Sequence, residues 1–403
     1  MTTTKTSTHT RNRPRLSFPM TYSKAFSTWW ASGSNSAGEA LSAVLSFLPF
    51  FPVSDGKRTA NVNLIKLSGK NRVINELEIT RNDEPVERTL VMLHGYGAGL
   101  GLYYRNFDGL TSVPGTKLYA LDFLGMGNSS RPRFQVRSRD PIGKVDEAEA
   151  FFIDALEEWR QQKKIEKMVL VGHSLGGYLS VNYCLKYPSH VDRLILVSPV
   201  GVPNNPYEVQ KGIELDPLVT DPPDSSIDQF EFTLPKAVPS RSAVQNLPPL
   251  PWWATFLWEA NISPFMFVRL PLVGPKLASG WTAIRFGALP TLEEQQVLSH
   301  YAYQIFRLRG SGEFALAYLL APGAYARRPL IDRVKGLQKD NLLKKVTWIY
   351  GSYDWMDVEA GRDASERLGK IETEVHVLDH AGHNVHLDNP EEFNGVIRRE
   401  LGV

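Results

Sequence analysis

The 403-residue chain has one cysteine, Cys184, which excludes an intramolecular disulfide and a cysteine-built zinc site. Its surroundings, "VNYCLKY", read as a helix, so a buried, inert thiol is expected. Long apolar runs are missing too. The charge-free stretch from Ala40 to Ser54 holds two prolines and falls short of the roughly 18–20 residues of a spanning helix. Neither sign of charge dominates: 45 Lys and Arg face 43 Asp and Glu, a net of +2. Without a dense basic stripe, nucleic acid is excluded as a partner. No cluster with metal-ligand spacing is present, and no cofactor is expected. What remains is an ordinary globular composition, 42% hydrophobic and 22% charged, on a chain longer than the usual single domain.

One local absence stands out. From Met1 to Gly38 there is no acidic residue, while Lys5, Arg11, Arg13, Arg15 and Lys24 lie among many Ser and Thr. That composition fits a mitochondrial transit peptide; a disordered basic tail is the alternative, and Pro14 and Pro19 would interrupt an import helix. Next, Ser36 and Glu39 have capping-box spacing. Leu41, Val44, Leu45 and Leu48 then recur along one face of a short helix that Pro49 should end. With Trp29, Trp30, Phe47, Phe50 and Phe51 nearby, this segment either lies in a membrane interface or packs onto the folded domain.

From about Arg58 the pattern turns strand-like. "NVNLIKL" and "RVINELEI" read as an antiparallel pair, followed by the apolar runs "RTLVMLHG", "TKLYALDF", "KMVLVGHS", "VDRLILVSPVG", "KKVTWIYGSYD" and "TEVHVLDHAGH". Helical segments alternate with them, among them "KVDEAEAFFIDALEEWRQQKKI", with Phe151, Phe152, Ala155, Leu156 and Trp159 on or near one face. The alternation predicts an α/β fold with a mostly parallel central sheet flanked by helices. It breaks between about Asn204 and Arg327, about 120 residues, too long for an ordinary connection. The expected organisation is therefore a basic and amphipathic segment over 1–55, a core in two parts over 56–203 and 328–403, and a helical cap inserted over 204–327. Such a cap covers the strand ends where open α/β sheets bind ligands. Trp252, Trp253, Trp258 and Trp281 within it either line an acyl tunnel or membrane-facing rim, or pack the cap's own core.

The chemistry centres on "VLVGHSLGGYLS". Gly172-x-Ser174-x-Gly176 follows an apolar strand and opens a helix, the context the G-x-S-x-G turn requires. A serine hydroxyl needs a base, and the base an orienting acid, in the chain order Ser, Asp, His. Asp354 in "IYGSYDWMD" directly follows a strand, with Asp357 one turn on as a fallback. His383 in "DHAGHNVH" follows the last strand, flanked by His380 and His386. The backbone N–H groups of Leu175 and Tyr96 are the expected oxyanion donors, and His94 in "LHGYG" shapes that loop rather than acting as base. Gly125-x-Gly127 in "LDFLGMGNSSRP" lacks the third glycine of a dinucleotide loop, with Ser130 in its place, and reads as a structural turn.

Together "LHGYGAG", "LDFLGMGNSSRP", "GHSLGG", "YGSYDWMD" and "AGHNVHLDNPEEF" resemble the α/β-hydrolase fold family. More narrowly, they resemble its branch holding the mitochondrial cardiolipin-specific deacylase, the N-acyl phosphatidylethanolamine lipase and the lipid-droplet lipase co-activator. The resemblance runs over about residues 55–403. It implies a triad of Ser174, Asp354 and His383, a glycerophospholipid substrate with cardiolipin leading, and a peripheral membrane site. With the basic N-terminus, it tilts localisation to the mitochondrial inner membrane over the cytosol or a lipid-droplet surface. The co-activator lacks the nucleophilic serine that this chain has.

Two other functions stay open. His383-x4-Asp388 has the spacing that in some membrane acyltransferases marks a His–Asp pair, and members of the branch have been proposed as lysophosphatidic acid acyltransferases on that motif. Against this, Asp388 or Asn389 can cap a helix that begins at Pro390 and continues with Glu391 and Glu392. The third function is a lipid-surface interaction protein with a vestigial site.

Overall fold

The computed structural model describes residues 20–31, 33, 36–204 and 252–402. The part of the proposed targeting segment before Met20 and the first part of the proposed cap lie outside them. Eight strands form one sheet: β1 (Arg58–Lys66), β2 (Val73–Arg81), β3 (Arg88–Leu93), β4 (Thr116–Leu121), β5 (Met168–His173), β6 (Val191–Val197), β7 (Lys345–Gly351) and β8 (Glu372–Leu378). Their spatial order is β1-β2-β4-β3-β5-β6-β7-β8. β2 runs antiparallel to both neighbours, β1 and β4, and β4 through β8 are mutually parallel. Each apolar run of the sequence is a strand of this sheet.

The central strands are largely apolar because both their faces are covered. All six residues of β5 and all seven of β7 are buried. On one side the helix Pro141–Gln162 buries Phe152, Ala155, Leu156 and Trp159 in a core shared with Leu170, Leu194 and Trp348. Phe151 packs edge-on to Phe134 at the margin. Cys184 is buried in the helix Leu175–Lys186, and burial raises its thiol pKa, which leaves it unreactive.

The helix Ser36–Leu45 settles one of the open alternatives. Leu41, Val44, Leu45, Leu48 and Phe50 are buried in the second core, with Leu298 and Tyr301 of the helix Leu292–Phe306. That face packs onto the domain. The expected capping box is not formed. Ser36 is already helical, and its hydroxyl lies 2.7 Å from Gly33 O and 2.8 Å from Gln304 Oε1. A buried tertiary partner has taken over the hydroxyl that a cap would use.

Between β6 and β7 the regular elements among the described residues are helices, including Trp252–Glu259, Val273–Phe286 and Leu292–Phe306, with an isolated Leu320–Ala326 bridge among them. Trp258 is tied down, its indole N–H donating to Leu320 O, while Trp252 is 80% exposed. Trp281 stands edge-on to Phe306. Among the described residues no helix is long and apolar enough to cross a membrane.

Candidate active site

The strand order reverses direction at β3 and β5, neighbours whose following loops diverge, the place where open α/β sheets bind their ligands. Ser174 caps the end of β5 and leads into the helix Leu175–Lys186 with φ 54° and ψ −115°. Such a backbone costs about 1–3 kcal/mol for a residue with a Cβ, and tight packing holds it. A Cβ on Gly176 would come within 2.7 Å of the carbonyl oxygens of Leu93 and His94, so only glycine lets the helix seat against the end of β3. A Cβ on Gly95 would lie 2.9 Å from that of Ser174, which puts the Gly95–Tyr96 turn directly beside the hydroxyl.

The structure brings Ser174, His383 and Asp354 together. Ser174 Oγ lies 3.1 Å from His383 Nε2, and His383 Nδ1 lies 3.1 Å from Asp354 Oδ1. The side chain of Asp354 is buried, and its Oδ1 also accepts the Met356 N–H at 3.1 Å. The fallback Asp357 is occupied elsewhere. It caps the helix Val358–Glu366, accepting the Ala360 N–H at 3.1 Å.

The other histidines are disqualified as bases by their surroundings. His380 is exposed at a turn with φ 56°. His386 is 2% exposed, packed against His173 and Tyr103, and burial drives its pKa down to about 3. His94 accepts the Phe123 N–H on Nε2 at 3.1 Å, so Nδ1 carries its proton and donates to Gly95 O at 2.7 Å. It pins the turn that carries Tyr96. Leu175 opens its helix, so its N–H has no intrahelical acceptor and sits at the positive end of the helix dipole.

Several supporting contacts were not evident from the sequence. His173, buried beside Ser174 and kept neutral by burial, donates from Nε2 to the backbone oxygen of His383 at 2.8 Å. Trp355 flanks the His383 ring at 5.1 Å. Arg285 donates to Asn384 Oδ1 at 2.7 Å, from the helix Val273–Phe286. Asp388 caps no helix; that is done by Asn389, which accepts the Glu392 N–H at 3.2 Å. Asp388 Oδ2 accepts the Gly382 N–H at 2.9 Å and so braces the loop before His383. The Gly125–Ser130 turn is closed by Gly125 N–H to Ser130 O at 2.9 Å, with positive φ at Gly125 and Gly127.

Residues 88–390 match the family described as the alpha/beta hydrolase fold. The chain belongs to the α/β-hydrolase fold family. Among its curated relatives is a 1-acylglycerol-3-phosphate O-acyltransferase of Arabidopsis thaliana, 35% identical over 82% of this chain and 70% of that one. A (lyso)-N-acylphosphatidylethanolamine lipase of Mus musculus is 32% identical over 83% and 84%. The 1-acylglycerol-3-phosphate O-acyltransferase ABHD5 of Rattus norvegicus is 32% identical over 77% and 76%. Two solved structures share the fold: carboxylesterase CesB of Bacillus subtilis, at 16% identity, 91% and 98% coverage and TM-score 0.53, and a bromoperoxidase of Bacillus anthracis, at 15% identity, 85% and 100% coverage and TM-score 0.54. This α/β hydrolase therefore has relatives named for hydrolysis of lipids and relatives named for their acylation.

Proposed function

We propose that this α/β hydrolase is a serine-dependent phospholipase that removes acyl chains from glycerophospholipids, with cardiolipin the leading substrate. The observation that carries the reading is the continuous chain from Ser174 Oγ through His383 to Asp354, with both links at 3.1 Å. His383 Nε2 takes the Ser174 proton as Oγ attacks the ester carbonyl carbon. The oxyanion forms between the N–H groups of Leu175 and Tyr96, and removal of one such donor costs about 100–1,000-fold. The C–O bond to the lysolipid then breaks, and the departing oxygen takes the proton from His383. Water, deprotonated by the same imidazole, attacks the acyl-serine and releases the fatty acid.

The acyltransferase reading has its own support in the names of two relatives. On this geometry it runs through the same acyl-serine, with a lysolipid hydroxyl in place of water. His383 has no ring nitrogen left for Asp388, because Asp354 and Ser174 occupy both. The deciding experiment incubates the protein with mixed mitochondrial phospholipids, with and without acyl-CoA, and follows fatty acids and lysolipids by mass spectrometry. Fatty acid released without acyl-CoA and lost in Ser174→Ala supports the phospholipase and names its lipid. Acyl-CoA-dependent consumption of lysolipid that survives Ser174→Ala sinks it. A serine that fails to react with a fluorophosphonate probe would point to the vestigial, surface-binding alternative.

A peripheral site on the mitochondrial inner membrane belongs to the same proposal, supported by the acid-free, basic composition of Met1–Gly38. A fusion of residues 1–40 to a fluorescent reporter tests it, and a cytosolic signal would rule out targeting by this segment.

A further inference from the structure

The turn that carries Tyr96 has little of its own to hold it. Tyr96 stands between Gly95 and Gly97, the latter with φ 61°, and glycine restrains a backbone least of all residues. His94 Nδ1 donates to Gly95 O at 2.7 Å on one side, and on the other the Leu100 N–H donates to Asp122 Oδ1 at 2.7 Å. Between these anchors the Tyr96 N–H has no acceptor among the described residues. It is free for a substrate oxygen, but no backbone bond aims it.

The Tyr96 side chain is held, and the cap holds it. Its ring stacks on Phe265, with centroids 5.2 Å apart and planes at 26°. Phe265 opens the short cap helix Phe265–Val268 and stacks in turn on Phe306, at 4.7 Å and 22°. Phe306 is buried. The same two rings reach the backbone of the turn: a Cβ on Gly97 would lie 3.4 Å from Phe265 Cζ and 4.0 Å from Phe306 Cζ. Beyond that helix, Arg269 fastens the chain by donating from Nε to Leu308 O at 2.8 Å and from Nη2 to the buried Glu313 Oε2 at 2.6 Å. Stacked rings favour set distances and angles, so this run of three is a directional contact where an aliphatic one would slide.

We propose that Phe265 is a positioning residue for acyl transfer: seated on Phe306, its ring fixes Tyr96 and so aims the Tyr96 N–H at the oxyanion. The cap then completes the site as well as covering it. The inference rests on the reading of Ser174 as nucleophile and Tyr96 as oxyanion donor. A misplacement of about 1 Å costs about 100-fold, and outright loss of such a donor about 100–1,000-fold.

The test gives the full chain a soluble short-chain ester and the matching thionoester, in which sulfur replaces the carbonyl oxygen. Sulfur is a weak acceptor, so the thionoester draws little on the oxyanion donors. Phe265→Leu keeps apolar bulk without a flat face. It should lower kcat on the oxygen ester by about 10–100-fold with KM little changed, and on the thionoester by about 3-fold or less. Tyr96→Leu should do the same, and Phe265→Leu added to it should cost about 2-fold or less again. Equal losses on both esters, no loss, or losses that multiply in the double variant overturn the proposal. If thermal unfolding shows that Phe265→Leu is not folded, Tyr96→Leu removes the same stack from the other side and decides on the same two esters. Hydrogen exchange over Leu93–Leu102 reads the turn without turnover. Phe265→Leu should speed exchange of the Leu100 amide by about 10-fold or more, and unchanged exchange also overturns the proposal. A native protein that hydrolyses neither ester defeats the serine-hydrolase reading, while the exchange measurement still decides whether Phe265 holds the turn.

Discussion

His383 has two ring nitrogens, and each has a partner at 3.1 Å. Asp388 therefore reaches this histidine through the backbone, by accepting the Gly382 N–H at 2.9 Å. That is a positioning role. Asp388→Ala leaves a part-buried N–H unpaired and loosens the loop that aims the imidazole, at a cost of about 1–3 kcal/mol in the site's geometry. The expected result is a fall in kcat of about 10–100-fold with KM little changed. Asp388→Asn keeps an acceptor oxygen and should retain most of kcat. An ionised partner of an acyltransferase pair would be lost equally in both variants, so steady-state kinetics of the two on one ester substrate separate these roles. Gly176→Ala tests the nucleophile turn in a different way. Its new Cβ must push aside the carbonyls of Leu93 and His94, now 2.7 Å from where it would sit, so both Tm and kcat should fall.

Between helices, a polar cluster ties the helix Leu175–Lys186 to Pro141–Gln162. Glu157 on Pro141–Gln162 accepts from Arg160 Nη2 at 2.7 Å, Gln161 Nε2 at 2.8 Å and the Tyr183 hydroxyl at 2.7 Å, the last on the helix that begins beside Ser174. Burial pushes its pKa up, but these donors together outweigh burial and hold the carboxyl at about 2, against an ordinary 4.5. A depressed carboxyl contributes stability that is complete above its unfolded-state value and is lost as pH falls through the folded one. The stability gap between the native protein and Glu157→Gln in urea titrations should hold steady from pH 7 to about 5 and shrink toward pH 2. A gap independent of pH would mean that the carboxylate's charge contributes nothing. At this scale the sequence was most legible. Apolar runs marked six of the eight strands, β3 to β8, and the inner ones among them need no alternation because both their faces are covered, while β1 and β2 were read from an alternating pattern. It was least legible where a side chain's partner is remote. Ser36 has capping-box spacing but answers to Gln304, and His173 answers to the backbone of His383, 210 residues away. No local period reports such pairs.

At the scale of the whole molecule, the exposed apolar side chains are unevenly placed. On the helix Tyr22–Ala31, Tyr22, Phe26 and Trp30 are 66%, 48% and 75% exposed and recur every four residues, a single aromatic face. That helix packs beside Val273–Phe286, which exposes Leu277 and Ile284 and contributes Lys276, its ammonium 3.7 Å from the Tyr22 ring centroid. Val273–Phe286 also carries Arg285, the residue that donates to Asn384 next to His383. The aromatic face is thus two contacts removed from His383. Aromatic rings with nearby cations suit the interface of an anionic bilayer, where rings sit at head-group depth and each Lys adds about 1 kcal/mol. The peripheral-membrane proposal therefore makes a prediction that depends on this surface alone. Tyr22→Ser, Phe26→Ser and Trp30→Ser combined should weaken flotation with cardiolipin-containing vesicles by about 10-fold or more, at roughly 1.5–3 kcal/mol of transfer energy per large side chain. Turnover of a soluble ester should be unchanged, since none of the three residues touches Ser174, His383 or Asp354. Equal flotation of variant and native protein would move the membrane contact to another face. A parallel loss of soluble-ester turnover would show that the aromatic face supports the catalytic loop through Arg285 and not a bilayer.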